Sequence, residues 1–183
     1  MNRKKIGILF GGSSSEYEIS LKSAYGIISH IDRKRYEPVL LGITREGTWF
    51  LYQGDIERIK DGSWYRQPAC IPAVISPDRR FQGVVYMQDG VIKQIRLDAA
   101  LPVMHGRLGE DGTVQGLLEL AGIPVVGCGT LASALCMDKV RAHQLVQAAG
   151  VEIPRSLVFD REASEQELMD GAASLGYRPS LPT

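Results

Sequence analysis

The sequence predicts an α/β protein, and two stretches carry that prediction. Near the start, the apolar run Lys5–Phe10 opens into Gly11-Gly12-Ser13-Ser14-Ser15. It then passes through a helical pattern and returns as a second apolar run, Pro38–Thr44. Further on, Ala99–Val103 reads as a buried strand that opens into Met104-His105-Gly106-Arg107-Leu108-Gly109-Glu110-Asp111-Gly112-Thr113. That loop closes into a helix with Val114, Leu117, Leu118 and Ala121 at the i, i+3, i+4, i+7 spacing of one buried face. A strand–helix–strand order of this kind gives a parallel pair with a right-handed crossover. Sheets so built hold ligands in the loops at the carboxyl ends of their strands.

Taken in order, the first strand is followed by a helix with Leu21, Ala24, Tyr25 and Ile28 on one face. Ser15 and Glu18 have capping-box spacing, so Ser15 or a residue shortly after it starts that helix. Trp49–Tyr52 is a short strand after the Glu46-Gly47 turn. Gly83–Met87 and Val91–Ile95 flank Gln88-Asp89-Gly90, a hairpin signal because Asp-Gly reaches positive φ at little cost. Between them Pro68, Pro72, Pro77 and Asp78 mark irregular chain, and residues 45–98 read as an insertion on the sheet edge. After the 104–113 loop and its helix come a short strand, Ile123–Val126, and a helical turn, Leu131–Leu135. Asp138 caps a helix with Ala142, Leu145, Val146 and Ala149 on one face, stopped by Gly150. Arg155–Phe159 is a strand. Ser164 and Glu167 form a capping box for a helix with Leu168, Ala172 and Leu175 inward, closed by Gly176. No internal repeat is present.

Composition narrows the function classes. The 183 residues suffice for one domain, or one domain and part of a second. Hydrophobic content of 44% and charged content of 23% fit a globular chain. Lys plus Arg and Asp plus Glu both number 21, which argues against a nucleic-acid binder held by phosphate contacts. Arg3-Lys4-Lys5 and Asp32-Arg33-Lys34-Arg35 read as solvated surface. Cys70, Cys128 and Cys136 show no metal-ligand spacing, read as small buried apolar residues and suit a reducing compartment. With no apolar run of membrane-spanning length and no leader pattern, the expected location is the cytoplasm.

The chemical signals admit two readings each. The loop after the first strand is neither GxGxxG nor a Walker A loop; it is an ordinary turn or a cradle for a small polar ligand. Glu16 is a first-turn acid favoured by the helix dipole, or a partner for an ammonium group. His105, at a strand's carboxyl end beside Gly106, is structural or functional. Glu110 and Asp111 read as helix-start residues, with Asp111 as the cap. Lys139 sits at the wrong end of its helix for the dipole, as a surface residue or as the neighbour of an anion such as phosphate.

Three segments together resemble the D-alanine–D-alanine ligase family of the ATP-grasp superfamily. They are Phe10-Gly11-Gly12-Ser13-Ser14-Ser15-Glu16-Tyr17-Glu18-Ile19-Ser20, then His105-Gly106-Arg107-Leu108-Gly109-Glu110-Asp111-Gly112-Thr113-Val114-Gln115-Gly116, then Gly127 with Ser133-Ala134-Leu135-Cys136-Met137-Asp138-Lys139. Within the family, Tyr17, Gly42-Ile43-Thr44-Arg45 and the 134–139 segment are most similar to the vancomycin-resistance D-alanine–D-serine ligases. The resemblance runs from about residue 4 to about residue 177.

The resemblance implies a Rossmann-like, pre-ATP-grasp domain over residues 1–126, with a parallel sheet and an inserted hairpin. It implies the beginning of an ATP-grasp central domain over 127–177 and a divergent tail over 178–183. It implies that Glu16 binds the ammonium of the first D-alanine, Ile19 packs near its methyl group, His105 sits by its carboxylate and Lys139 contacts ATP phosphate. Glu16 and His105 are thereby catalytic candidates, and no residue of the chain is assigned to a metal. The implied reaction, with ATP and Mg2+, activates D-alanine as an acyl phosphate that the amine of a second D-amino acid attacks, for peptidoglycan precursors. A homodimer through the N-terminal domain is implied as well. After Tyr177 the sequence departs from the family pattern. The Mg2+ ligands, the serine and tyrosine partners of Glu16 and the oxyanion-stabilising arginine are therefore expected beyond it, and the 183 residues are expected not to turn over alone. The alternatives are a non-catalytic D-amino-acid-binding or dimerisation module and a structural remnant. The Glu16 and His105 segments argue against a different ATP-grasp enzyme of the biotin-carboxylase kind.

Overall fold

The structure, a computed structural model, describes residues 3–66 and 68–177. Its described residues form two compact units, one running to Met137 and one from Asp138. In the first, strand β1 (Lys4–Gly11) leads through helix α1 (Tyr17–His30) to β2 (Tyr36–Ile43). Then come β3 (Trp49–Tyr52), the single-turn α2 (Glu57–Lys60), β4 (Cys70–Ile75), β5 (Gly83–Gln88), β6 (Val91–Arg96) and β7 (Ala99–Pro102). Helices α3 (Thr113–Leu120) and α4 (Thr130–Met137) close the unit.

One seven-stranded sheet has the order β6-β5-β4-β3-β2-β1-β7. β1 pairs in parallel with β2 on one side and with β7 on the other, and β3 to β6 continue as an antiparallel meander. The α/β fold class of the sequence holds, with more antiparallel sheet than one inserted hairpin. Asp89 and Gly90 form the expected two-residue turn between β5 and β6, both at positive φ (55° and 74°).

The central strands are apolar on both faces because helices cover both. Ile8 and Phe10 of β1 and Leu40 of β2 pack with Leu21, Ala24 and Ile28 of α1. Leu9, Leu41 and Leu51 point the other way, into a cluster with Val114 and Leu118 of α3. This is the near-continuous hydrophobic reading of strands buried on two sides. Gly42 lets the fully buried Trp64 lie directly on β2, since a Cβ there would fall among the indole carbons. The indole N–H donates to Tyr17 Oη at 3.0 Å.

Several expectations change. The chain around Pro72 is strand β4, not irregular: Pro72 is the last residue paired with β3, and from Ala73 the strand pairs with β5 instead. A proline fits where the ladder changes partner. Ile123–Val126 makes one parallel bridge, Ala100 to Val125, rather than a strand. Ser15 and Glu18 form no capping box; Glu16 holds the N-cap position without a side-chain cap bond. Cys128 and Cys136 are exposed, not buried.

In the second unit, α5 (Lys139–Ala148) is capped by Asp138, whose carboxylate accepts from the N–H groups of Val140 and Arg141. α6 (Glu165–Ser174) starts with the expected Ser164–Glu167 capping box. Arg155–Phe159 is not a strand, because β pairing needs a neighbour and the described residues of this unit hold no other strand. For the same reason the intended inner faces stay open: Leu145, Leu168 and Leu175 are 52%, 44% and 39% exposed. The tail assigned to 178–183 lies outside the described residues. Among the described residues no helix is long and apolar enough to cross a membrane.

Candidate functional site

β1 is the point where the chain order of the sheet reverses: the chain leaves it toward β2, and β7 returns on its other side. Loops at the carboxyl ends of two such strands diverge and leave a crevice. Here those loops are 12–16, after β1, and 103–112, after β7.

Buried Ser20 fastens the base of the crevice. Its hydroxyl accepts the Gly11 N–H at 2.8 Å and donates to the Val103 carbonyl at 2.7 Å, tying α1 to the ends of β1 and β7. Ser14 joins the loops above it. Its hydroxyl accepts the Glu16 N–H at 3.1 Å and donates to the His105 carbonyl at 2.7 Å.

The structure thus brings the Glu16 carboxylate beside Gly106, the residue that follows His105. Gly106 is at φ 69°, and a methyl group added there would stand 2.5 Å from Glu16 Oε2. Only a residue without Cβ accepts both that backbone and that neighbour without strain. The Glu16 carboxylate itself is exposed and, among the described residues, has no hydrogen-bond or ion-pair partner. Ile19, one turn along α1, is 49% exposed. Glu16, Ile19 and Ser23 fall at i, i+3 and i+7, one stripe of the helix.

His105 has a polar neighbour at each ring nitrogen. Nε2 lies 3.2 Å from Ser23 Oγ, and Nδ1 lies 3.9 Å from Glu110 Oε1. The second oxygen of Glu110 accepts the Gly106 N–H at 2.7 Å. Asp111 accepts from Leu108 N–H at 2.8 Å and from Thr113 N–H at 3.0 Å. Burial alone would push the Asp111 carboxyl up, but hydrogen bonds from Leu108 and Thr113 outweigh it and hold the group below its ordinary value. Both acids therefore build the loop, as the sequence reading had it, with one correction. The N-cap position of α3 belongs to Gly112, and Asp111 bonds the first helical N–H from one residue before it.

Beside His105 a cavity of about 560 Å³ opens, lined by Ser23, Ile27, Met104, His105, Glu110 and buried Ser133 among others. Glu16 and Ile19 are not in its lining. Lys139 belongs to the second unit, as the exposed first residue of α5, where Asp138 already bonds two helix-start N–H groups. Sequence reasoning missed Ser14, Ser20 and Ser23. The i+7 spacing from Glu16 to Ser23 was the available signal for the last; the bond from Ser14 to the His105 carbonyl reaches 91 residues along the chain and left no local trace.

Comparison with known proteins identifies the family. The family model described as D-ala D-ala ligase N-terminus matches residues 5–128. The chain is 43% identical over 179 residues to a D-alanine–D-alanine ligase of Thermoanaerobacter sp. (strain X514), covering 97% of this chain and 49% of the relative. It is 40% identical over 161 residues to the Vancomycin B-type resistance protein VanB of Enterococcus faecalis, covering 88% of this chain and 45% of the relative. Among solved structures, the VanG D-Ala:D-Ser ligase from Enterococcus faecalis superposes with a TM-score of 0.81 at 44% identity, covering 94% of this chain and 49% of that one. The chain spans about half the length of these relatives. It belongs to the D-alanine–D-alanine ligase family, a family of ATP-dependent ligases, and corresponds to its N-terminal portion.

Proposed function

We propose that the protein contributes to ATP-dependent ligation of D-alanine to a second D-amino acid, and that the crevice after β1 and β7 is one wall of the site for the first D-alanine. The observation that supports this is the pairing of an unpartnered carboxylate, Glu16, with an oriented imidazole, His105, across Gly106. An amino acid carries an ammonium and a carboxylate a few bonds apart. Glu16 would take the ammonium, His105 would face the carboxylate, and exposed Ile19 would meet the methyl group. The similar proteins are named for D-alanine and for D-serine as partner, so the shared element is the first D-alanine. In the proposed reaction the D-alanine carboxylate attacks the terminal phosphate of ATP and ADP leaves. The amine of the second substrate then attacks the acyl carbon and inorganic phosphate leaves.

In this reading residues 1–126 are the Rossmann-like domain and 127–177 the beginning of the ATP-grasp domain, with Lys139 on ATP phosphate. Turnover needs the remaining half that the relatives carry. Among the described residues no group of three or more His, Cys, Asp or Glu side chains is placed to hold a metal ion. The setting is peptidoglycan precursor synthesis in the cytoplasm, in the homodimer the family likeness implies. Light scattering tests the dimer. Calorimetric titration with D-alanine tests the site: heat is expected from the wild-type chain and none from Glu16→Gln, and equal heats from both would remove Glu16 from the site.

A further inference from the structure

We propose that Ser23 is a positioning residue for His105: its hydroxyl donates to Nε2 and fixes the imidazole ring in the neutral form, with the proton on Nδ1, that the facing Glu110 carboxylate selects. This inference rests on the ligase reading only for its purpose, the presentation of His105 to substrate. The geometry stands without it.

Ser23 Oγ and His105 Nε2 are 3.2 Å apart, and either atom can be the donor. The other side of the ring decides between them. Nδ1 faces Glu110 Oε1 at 3.9 Å, and Glu110 cannot turn away without giving up the Gly106 N–H on its second oxygen. An ionised carboxylate only accepts hydrogen bonds. With the proton on Nε2, the Nδ1 lone pair would face that negative charge. With the proton on Nδ1, the N–H dipole points toward the carboxylate, and Nε2 is left as the acceptor for the Ser23 hydroxyl. The partner of one ring nitrogen thus sets the state of the other.

The sequence supports the same arrangement. A serine inside a helix commonly bonds the carbonyl four residues back, as Ser29 does with Tyr25. Ser23 does not; among the described residues its side chain bonds His105, 82 residues away. It lies on the same stripe of α1 as Glu16 and Ile19, so a single rigid helix sets three groups of the site together. His105 follows a strand and sits beside a glycine at positive φ, and the ring needs an anchor outside its own loop.

The test is the ring nitrogen shifts of His105 in the 15N-labelled chain, read by long-range 1H–15N correlation at a pH where the imidazole is neutral. The expected wild-type pattern is a protonated Nδ1 and an acceptor-type Nε2. Glu110→Gln, whose amide can donate to Nδ1, should shift the tautomer ratio toward the Nε2–H form by about fivefold, the worth of one ordinary side-chain hydrogen bond, whereas Ser23→Ala should keep the Nδ1–H form and move the Nε2 shift toward that of a free acceptor nitrogen. Ser23→Thr, which keeps the hydroxyl, should restore the wild-type Nε2 shift. A wild-type His105 protonated on Nε2, or Ser23→Ala shifts equal to wild type, overturns the proposal. If Ser23→Ala does not fold, the wild-type pattern decides alone. Because no ligand is present, failure of the ligase reading leaves this result untouched, and D-alanine titration judges that reading separately.

Discussion

Removing the Ser20 hydroxyl should loosen the site from beneath. Ser20 is fully buried, and its oxygen serves two backbone groups at the ends of different strands, Gly11 N–H at 2.8 Å and, just after β7, Val103 C=O at 2.7 Å. Alanine keeps the helix and almost the same volume but leaves a buried donor and a buried acceptor without this partner. Each such orphan costs about 1–3 kcal/mol, so Ser20→Ala should cost ~2–4 kcal/mol once partial relaxation is allowed. Ser29→Ala on the same helix is the control. Its hydroxyl is exposed and bonds only its own helix, and its loss should stay within about 0.5 kcal/mol. Urea unfolding followed by far-UV circular dichroism reads both. With a slope near 2 kcal/mol per molar, the Ser20→Ala midpoint should fall by about 1–2 M at unchanged slope. A midpoint indistinguishable from that of Ser29→Ala would refute the claim that this hydroxyl joins the two strand ends.

Other perturbations follow from single contacts. Gly106→Ala should cost about 1–2 kcal/mol, because φ 69° strains an L side chain, and denaturant titration reads it. Since its Cβ would stand 2.5 Å from Glu16 Oε2, the same variant should shift the Glu16 side-chain resonances; unchanged resonances would place Glu16 elsewhere. Asp111 has a folded-state pKa below the ordinary 3.8, so its contribution is complete above that value and is lost as pH falls through the depressed one. Acid loosening of the 104–113 loop should therefore begin only below about pH 3.8. Asp111→Asn should flatten that limb of a stability–pH curve, and an unchanged limb would assign it to other acids. Asp138→Ala should weaken the start of α5 by about 1 kcal/mol, seen as faster amide exchange at Val140 and Arg141, with slower or equal exchange counting against the cap.

The parts of the fold that local chemistry dictates were legible in the sequence. β1, α1 and β2 follow from apolar runs and helical spacing. The Asp89-Gly90 hairpin follows from turn chemistry, and α6 from its capping box. What failed was non-local. Pro72 hides a strand because a change of pairing partner is invisible along the chain, and Arg155–Phe159 has strand composition but no neighbour among the described residues. The site divides in the same way. Glu16 and His105 stood out by position after strands, whereas Ile19 came only from the family resemblance. Ser14 and Ser23 act on residues 91 and 82 positions away, and a serine announces no partner at that distance.

The central claim is that Glu16, Ile19 and His105 face one D-alanine. Its most direct test is a 1H–15N titration of this chain with D-alanine, with L-alanine in parallel. The account predicts saturable shifts centred on Ile19, His105 and Gly106, produced by the D-isomer in preference to the L-isomer and abolished by Glu16→Gln. Shifts scattered over the surface, or identical for the two isomers, would contradict it.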